Sequence, residues 1–496
     1  MAKFILSIDQ STSATKAIIF DENAELVSRS TTEHRQFYPQ PGWVEHDPEE
    51  IYQNTCRAMK EAVEKAGIKN QEVNVLSVSN QRETVVVWDR KSGKPVYNAI
   101  VWQCQRGKEI CGDLVKAGHT EMIRSKTGLI IDPYFSASGI KWILDNVDGV
   151  REKAEKGEIA CGTIDSWLIF NLTNGKVHAT DHSNACRTML YNIYELKWDK
   201  EILEILGIPE SMMPEVKSSN ALFGEVECRE AFPANIPISG VMGDSHAALF
   251  GQLCLEPGLG KATYGTGSSV MMNIGKEALK SPEGLVTSIG FSYNDEIDYV
   301  FEGNIHCTGD TIKWLVDNAE MLKKSSDSEE VALKVKDNGG VFFVPAFAGL
   351  GAPYWNNEAR AIITGMDRGA QKGHIVRAAL ESIAYQVKDV IDLMAEKSGI
   401  KLKELRVDGG PTKNKFLMQF QADMLDSSIR ISDIEEASAL GVALMGGIHS
   451  GIWESPHKLS NVKNEGRIIK SGMDKVTRTK LFDGWKKAVS RTIMNA

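Results

Sequence analysis

These 496 residues contain no C-x-x-C pair, no His/Cys cluster at zinc spacing, no long block of like charge and no apolar run approaching the ~18 residues that cross a membrane. Eight cysteines, Cys56, Cys104, Cys111, Cys161, Cys186, Cys228, Cys254 and Cys307, are scattered along the chain, which reads as reduced core thiols rather than a disulfide framework or a zinc centre. The opening "MAKFILSIDQ" lacks the positive region, long apolar core and cleavage site of a signal peptide, so we expect a soluble, cytoplasmic protein with no membrane span. Lys and Arg number 57 against 66 Asp and Glu, a net charge of −9 without a basic patch in the sequence, which argues against nucleic acid as a partner. Also missing are G-x-x-x-x-G-K-[ST] and, in the N-terminal part, any G-x-G-x-x-G opening a helix after a strand. The Walker and dinucleotide readings fall with them.

What is present fits a large α/β protein. The length exceeds one ordinary core and suggests two domains of roughly 200 to 250 residues; a 42% apolar fraction is enough to fill them. Short β-branched runs alternate with segments of helical period, such as "PEEIYQNTCRAMKEAVEKAG" before "VNVLSVS" and "GHIVRAALESIAYQVKDVIDLMAEKSG" before "LKELRVDGG". This alternation indicates α/β layers. Near residue 250 the pattern restarts, and "KATYGTGSSVMMNIG" echoes "FILSIDQSTSATKAIIFD". We place the domains at 1–250 and 251–496. Each echoing stretch is a strand, a turn of small hydroxyl and glycine residues, and a second strand. Such turns aim several backbone N–H groups and hydroxyls at one point, as a phosphate requires. Two of them at matching places, one carrying Asp9 and Lys16, predict a nucleotide clamp across a cleft between the domains.

Two further stretches carry charge where a strand runs out: "NQRE" at 80–83 after "VNVLSVS", and "DSH" at 244–246 after "IPISGVMG". A charge at the edge of a buried sheet is costly unless it is paired or used. The stretches "PGWVEHDPEEI" (41–51), "NQRET" (80–84), "NAIVWQCQR" (98–106), "TGLIIDPYFS" (127–136), "PAFAGLGAPYW" (345–355), "LESIAYQ" (380–386), and "RVDGG" with "NKFLMQFQAD" (406–423) identify what uses them. Over essentially its whole length the chain resembles the glycerol kinases of the carbohydrate kinase family, which also holds xylulokinases, ribulokinases and gluconokinases.

The resemblance implies two similar actin/hexokinase-like (ribonuclease H-like) α/β domains facing a central cleft, the first holding a small polyol and the second ATP. It implies ATP-dependent phosphorylation of glycerol to sn-glycerol 3-phosphate, with Asp244 as general base. Arg82 and Glu83 would hydrogen-bond the polyol hydroxyls, and Trp102 and Tyr134 would wall its carbons. A neutral triol offers no charge to grip, so directed hydrogen bonds on one side and apolar contact on the other must supply the affinity. Asp9 would hold Mg²⁺ directly or through water, and Ser11, Thr12 and Ser13 would meet the terminal phosphates beside Lys16. Thr266, Gly267 and Gly309 would take the other side of the phosphates, and Gly409, Gly410 and Asn414 the adenosine. A homodimer or homotetramer is expected.

The chain departs from the pattern in places. It reads "DQSTSATK" where "DQGTTSSR" is usual, placing Ser11 for glycine and Lys16 for arginine. It reads "GDSHAA" for "GDQQAA" and "YGTGSS" for "YGTGCF", so Ser245 and Ser269 stand where a glutamine and an aromatic ring are expected at the polyol. Both changes shrink side chains at one pocket, which keeps a four- or five-carbon polyol or ketose open as the acceptor. In "CREAFPANIPISG", Asn235 stands where some relatives carry an arginine for fructose 1,6-bisphosphate, and insensitivity to that effector is expected.

Overall fold

A computed structural model describes residues 3–227, 232, 235–461 and 466–494. Cys228 and most of the segment before Asn235 lie outside the described residues; the other seven cysteines are free thiols, all buried except the partly buried Cys56.

The first sheet contains β1 (Phe4–Gln10), β2 (Ala14–Phe20), β3 (Leu26–Glu33), β4 (Val73–Asn80) and β5 (Ile238–Gly243), in the order β5-β4-β1-β2-β3. β1, β2 and β3 are antiparallel neighbours, whereas β4 and β5 run parallel to β1. The second sheet contains β6 (Leu259–Tyr264), β7 (Ser268–Gly275), β8 (Val286–Tyr293), β9 (Glu296–Ile305), β10 (Glu404–Asp408), β11 (Ser428–Ile431) and β12 (Arg467–Ile469), in the order β8-β9-β7-β6-β10-β11-β12. There β6, β7 and β9 are antiparallel and β10 and β11 run parallel to β6. The two sheets thus share one five-strand plan, a hairpin with a third antiparallel strand on one side and two parallel strands on the other. The sequence echo between the two hairpins is a repeat of topology.

Local chemistry explains the helices that cover these sheets. In α1 (Pro48–Ala66), Asp47 caps the N-terminus by accepting from the Glu49 and Glu50 amides. Proline follows at the first helical position, and Gly67 ends the helix at φ 66°. α2 (Asp244–Gly251) begins directly where β5 stops, so the charge read at the strand end lies in the first helical turn. α3 (Gly309–Asp317), α4 (Lys372–Ser398) and α5 (Lys415–Leu425) pack in the second half. α6 (Ala437–His449) returns to the first sheet and packs on α2 with almost no spacing: a Cβ at Gly441 would run into the Ala247 carbonyl, and one at Gly446 into Ser77 and the Ser239 carbonyl. The run "ASALGVALMGGIH" is small because two backbones meet there.

Candidate active site

A cavity of about 850 Å³ lies between the two sheets. From the first half it takes Thr12, Arg82, Glu83, Trp102, Tyr134, Asp244 and Ser245; from the second, Thr266, Gly267 and Ser269. One end of it is a buried ion-pair network. Arg82 makes a bidentate pair with Glu302 at 3.0 and 3.2 Å, and its Nε lies 3.4 Å from Asp244. Arg187 bridges Glu302 at 2.7 Å and Glu83 at 2.6 Å. Gly243 makes room for this, since a Cβ there would strike the Arg82 stem. Glu83 sits at φ 62°, a conformation costly for a non-glycine residue, and its carbonyl accepts from Ser136 Oγ at 2.7 Å.

The electrostatics follow from burial against pairing. Burial pushes the Glu83 carboxyl upward against the pull of Arg82 and Arg187. Glu302 is equally buried, yet Arg187 and Arg82 together hold it well below the usual carboxylate range. Glu302 is therefore the fixed counter-ion, and Glu83 a strained carboxylate facing the cavity. Across from them Trp102 and Tyr134 meet edge to face at 5.5 Å, and the indole N–H donates to Thr12 Oγ1 at 3.0 Å. That bond ties the aromatic wall to the first hairpin turn.

In that turn Ser11 donates its amide and its hydroxyl to the Ala14 carbonyl, both at 2.9 Å. The serine at the position where the resemblance expects a glycine is thus spent on closing the turn; Ser13 is exposed and outside the cavity lining. Lys16 is the register partner of Asp9; its Nζ lies 3.9 Å from the Asp9 carboxylate and 2.7 Å from Glu436. Burial raises the Asp9 carboxyl from 3.8 to about 7, Lys16 opposing and the Asp244 and Glu436 carboxylates adding to the rise. Among the described residues no group of three or more His, Cys, Asp or Glu could cage a metal ion.

The second hairpin is held by α3: the Gly309 amide donates to the Gly265 carbonyl at 3.0 Å, and the Thr308 and Asp310 amides to the Thr266 carbonyl. Gly309 and Gly409 are glycines because of this crowding. A Cβ would meet the Gly265 carbonyl in the first case and the Tyr264 carbonyl, at φ 98°, in the second. Gly410 faces open space. Asn414 caps α5 by accepting from the Leu417 amide at 2.9 Å, and its amide nitrogen reaches Ser328 at 3.3 Å. Gly309 and Gly409 pack against the hairpin, and with Gly410 and Asn414 they lie outside the cavity lining.

The residues 4–251 match the model of the FGGY family of carbohydrate kinases, N-terminal domain, and 260–450 its C-terminal domain. The chain is an FGGY-family carbohydrate kinase. Among curated FGGY relatives it is 52% identical over 493 residues to a glycerol kinase of Caldanaerobacter subterraneus, covering 99% of both chains, and 50% identical over 491 residues to glycerol kinase 2 of Thermotoga maritima, again at 99% of both. Its structure matches Plasmodium falciparum glycerol kinase with ADP at a TM-score of 0.94 and 39% identity, over 99% of this chain and 98% of that one. A xylulose kinase of Lactobacillus acidophilus, at 20% identity, matches at 0.89 over 99% of this chain and 98% of that one and shares the fold. The actin/hexokinase-like expectation agrees with this two-domain FGGY architecture.

Sequence reading missed Glu302, Arg187 and Glu436. The first two carry the signal used for "NQRE", a charge inside an apolar run ("YVFEGNIH", "NACRTML"), and could have been found by it.

Proposed function

We propose that the chain transfers the terminal phosphoryl group of ATP to a hydroxyl of glycerol, giving sn-glycerol 3-phosphate. The observation that carries this reading is the position of Asp244. It opens α2 on the cavity wall, 3.4 Å from Arg82, with its carboxylate near enough to Asp9 to raise that carboxyl. The base thus stands between the acceptor clamp and the phosphate hairpins.

In this reading Asp244 accepts the proton of the attacking hydroxyl, and Arg82 orients the carboxylate that takes it. Glu83 and Arg82 hydrogen-bond the remaining hydroxyls, and Trp102 and Tyr134 cover the carbons. Amides of the two turns and Lys16 hold the ATP phosphates, Thr12 and Thr266 facing them from opposite sides. Gly409, Gly410 and Asn414 form the adenosine floor, which makes residues 1–250 the acceptor domain and 251–496 the nucleotide domain. Mg²⁺, when bound, neutralises phosphate charge during transfer. Asp9 fits it: magnesium commonly takes one or two carboxylates with water and substrate phosphates, and Asp9 is a buried carboxylate at the end of β1, beside the first hairpin turn. The names of the curated relatives support glycerol as acceptor, and the same reading expects a cytoplasmic assembly of two or four copies; no helix among the described residues is long and apolar enough to cross a membrane.

ADP release by the purified protein with Mg-ATP tests this. Glycerol should raise it on the order of 10²-fold or more over the rate without acceptor. A rate indifferent to glycerol and every other polyol would make the chain an ATPase instead.

A further inference from the structure

Besides the aromatic pair, the cavity wall carries polar side chains that the acceptor clamp does not use. Side chains alternate along β9, so Glu302 and Asn304 look toward the same side, about 7 Å apart along the strand; His306, just past the strand's end, lines the same cavity. Glu302 is taken up by Arg82 and Arg187. The other two are not used in this way. Asn304 is half-buried and its side chain hydrogen-bonds nothing among the described residues. Ser269 is its register partner on β7, and the Ser269 hydroxyl is buried without a partner among those residues. His306 is set in place by the Ala348 backbone, by the Trp355 ring at 6.2 Å and by Gly351, whose missing Cβ leaves room for the imidazole. All three line the cavity that holds Arg82 and Asp244.

Glycerol has three hydroxyls, and Asp244, Arg82 and Glu83 account for them. Cleft closure on glycerol would leave Ser269 and Asn304 desolvated and unpaired, which costs binding. A site that presents donors and acceptors selects the ligand whose hydroxyls meet them.

We infer that Ser269, Asn304 and His306 form a second hydroxyl-binding subsite, so that the pocket takes linear polyhydroxylated acceptors of four or five carbons as well as glycerol. The inference rests on the phosphotransfer reading above and adds the residues that set chain length. The cavity beside the small Ser269 supplies the space, and Asn304 and His306 supply the partners.

The test is kcat/KM with Mg-ATP for glycerol, erythritol, both threitols, ribitol, xylitol and the corresponding ketoses, on the wild type and on Asn304→Ala. At least one longer acceptor should reach within tenfold of glycerol or exceed it, and Asn304→Ala should lower the ratio of that acceptor's kcat/KM to glycerol's by tenfold or more. If Asn304→Ala does not fold, His306→Phe must lower the same ratio. A hundredfold preference for glycerol over every longer acceptor, or a ratio unmoved by the substitution, overturns the inference and leaves the phosphotransfer reading standing. Absence of transfer to any acceptor, glycerol included, overturns both.

Discussion

Asp9 is held at the expense of stability. Burial first, then the Asp244 and Glu436 carboxylates, lift it from 3.8 to about 7 against the pull of Lys16. A folded-state value above the unfolded one means that between those values the native chain keeps a proton the unfolded chain has lost. Stability therefore falls as pH rises through that window and stays low above it. Asp9→Asn removes the conflict. Without ligands the variant should be the more stable protein at about pH 8, by the order of 2–4 kcal/mol in urea unfolding, with the gap closing toward about pH 4. Equal stability at the higher pH would mean that the carboxylate is better solvated than its burial indicates. Glu302 makes the opposite case, a buried carboxylate whose partners more than offset its desolvation. Glu302→Gln leaves Arg82 and Arg187 undercompensated and should cost about 3–5 kcal/mol, together with a fall in kcat/KM for the acceptor; an unchanged urea midpoint would contradict the network. Arg82 and Glu83 were legible in the sequence because charge interrupts an apolar run. Glu302 carries the same signal, but its pairing with Arg82 was not legible, because the two lie 220 residues apart and no local pattern joins them.

At the scale of elements, both hairpins and the long amphipathic helices were legible, since period and turn chemistry are local properties. Strand β1 ends at Gln10 and β2 starts at Ala14, and β6 and β7 repeat the arrangement around Gly265–Gly267. The return of α6 to the first sheet was not legible. "ASALGVALMGGIH" reads as any buried helix, and only the fold reveals that its glycines meet a second backbone. Gly441→Ala should push α6 off α2, destabilising the chain by about 1–3 kcal/mol. Because Glu436, just before α6, pairs with Lys16, turnover should fall as well. Thermal unfolding and kcat measured on one preparation check both, and a variant as stable as the wild type would show that the two helices can part freely.

At the scale of the molecule, two sheets of one topology each present a hairpin to a shared cavity, and α6 ties the second half of the chain to the first sheet. Transfer to an alcohol requires that water be kept from the phosphoryl group, so the halves should close when nucleotide and acceptor are both bound. Small-angle scattering should then give a smaller radius of gyration than for the free protein; identical profiles would count against closure. Asp244 is proposed to take the proton of the acceptor hydroxyl inside this cleft. Single-turnover transfer from Mg-ATP to saturating glycerol, wild type against Asp244→Asn, tests it most directly. The rate should fall on the order of 10² to 10⁴-fold with both ligands still bound, and a variant retaining more than about a tenth of the wild-type rate would exclude Asp244 as the base.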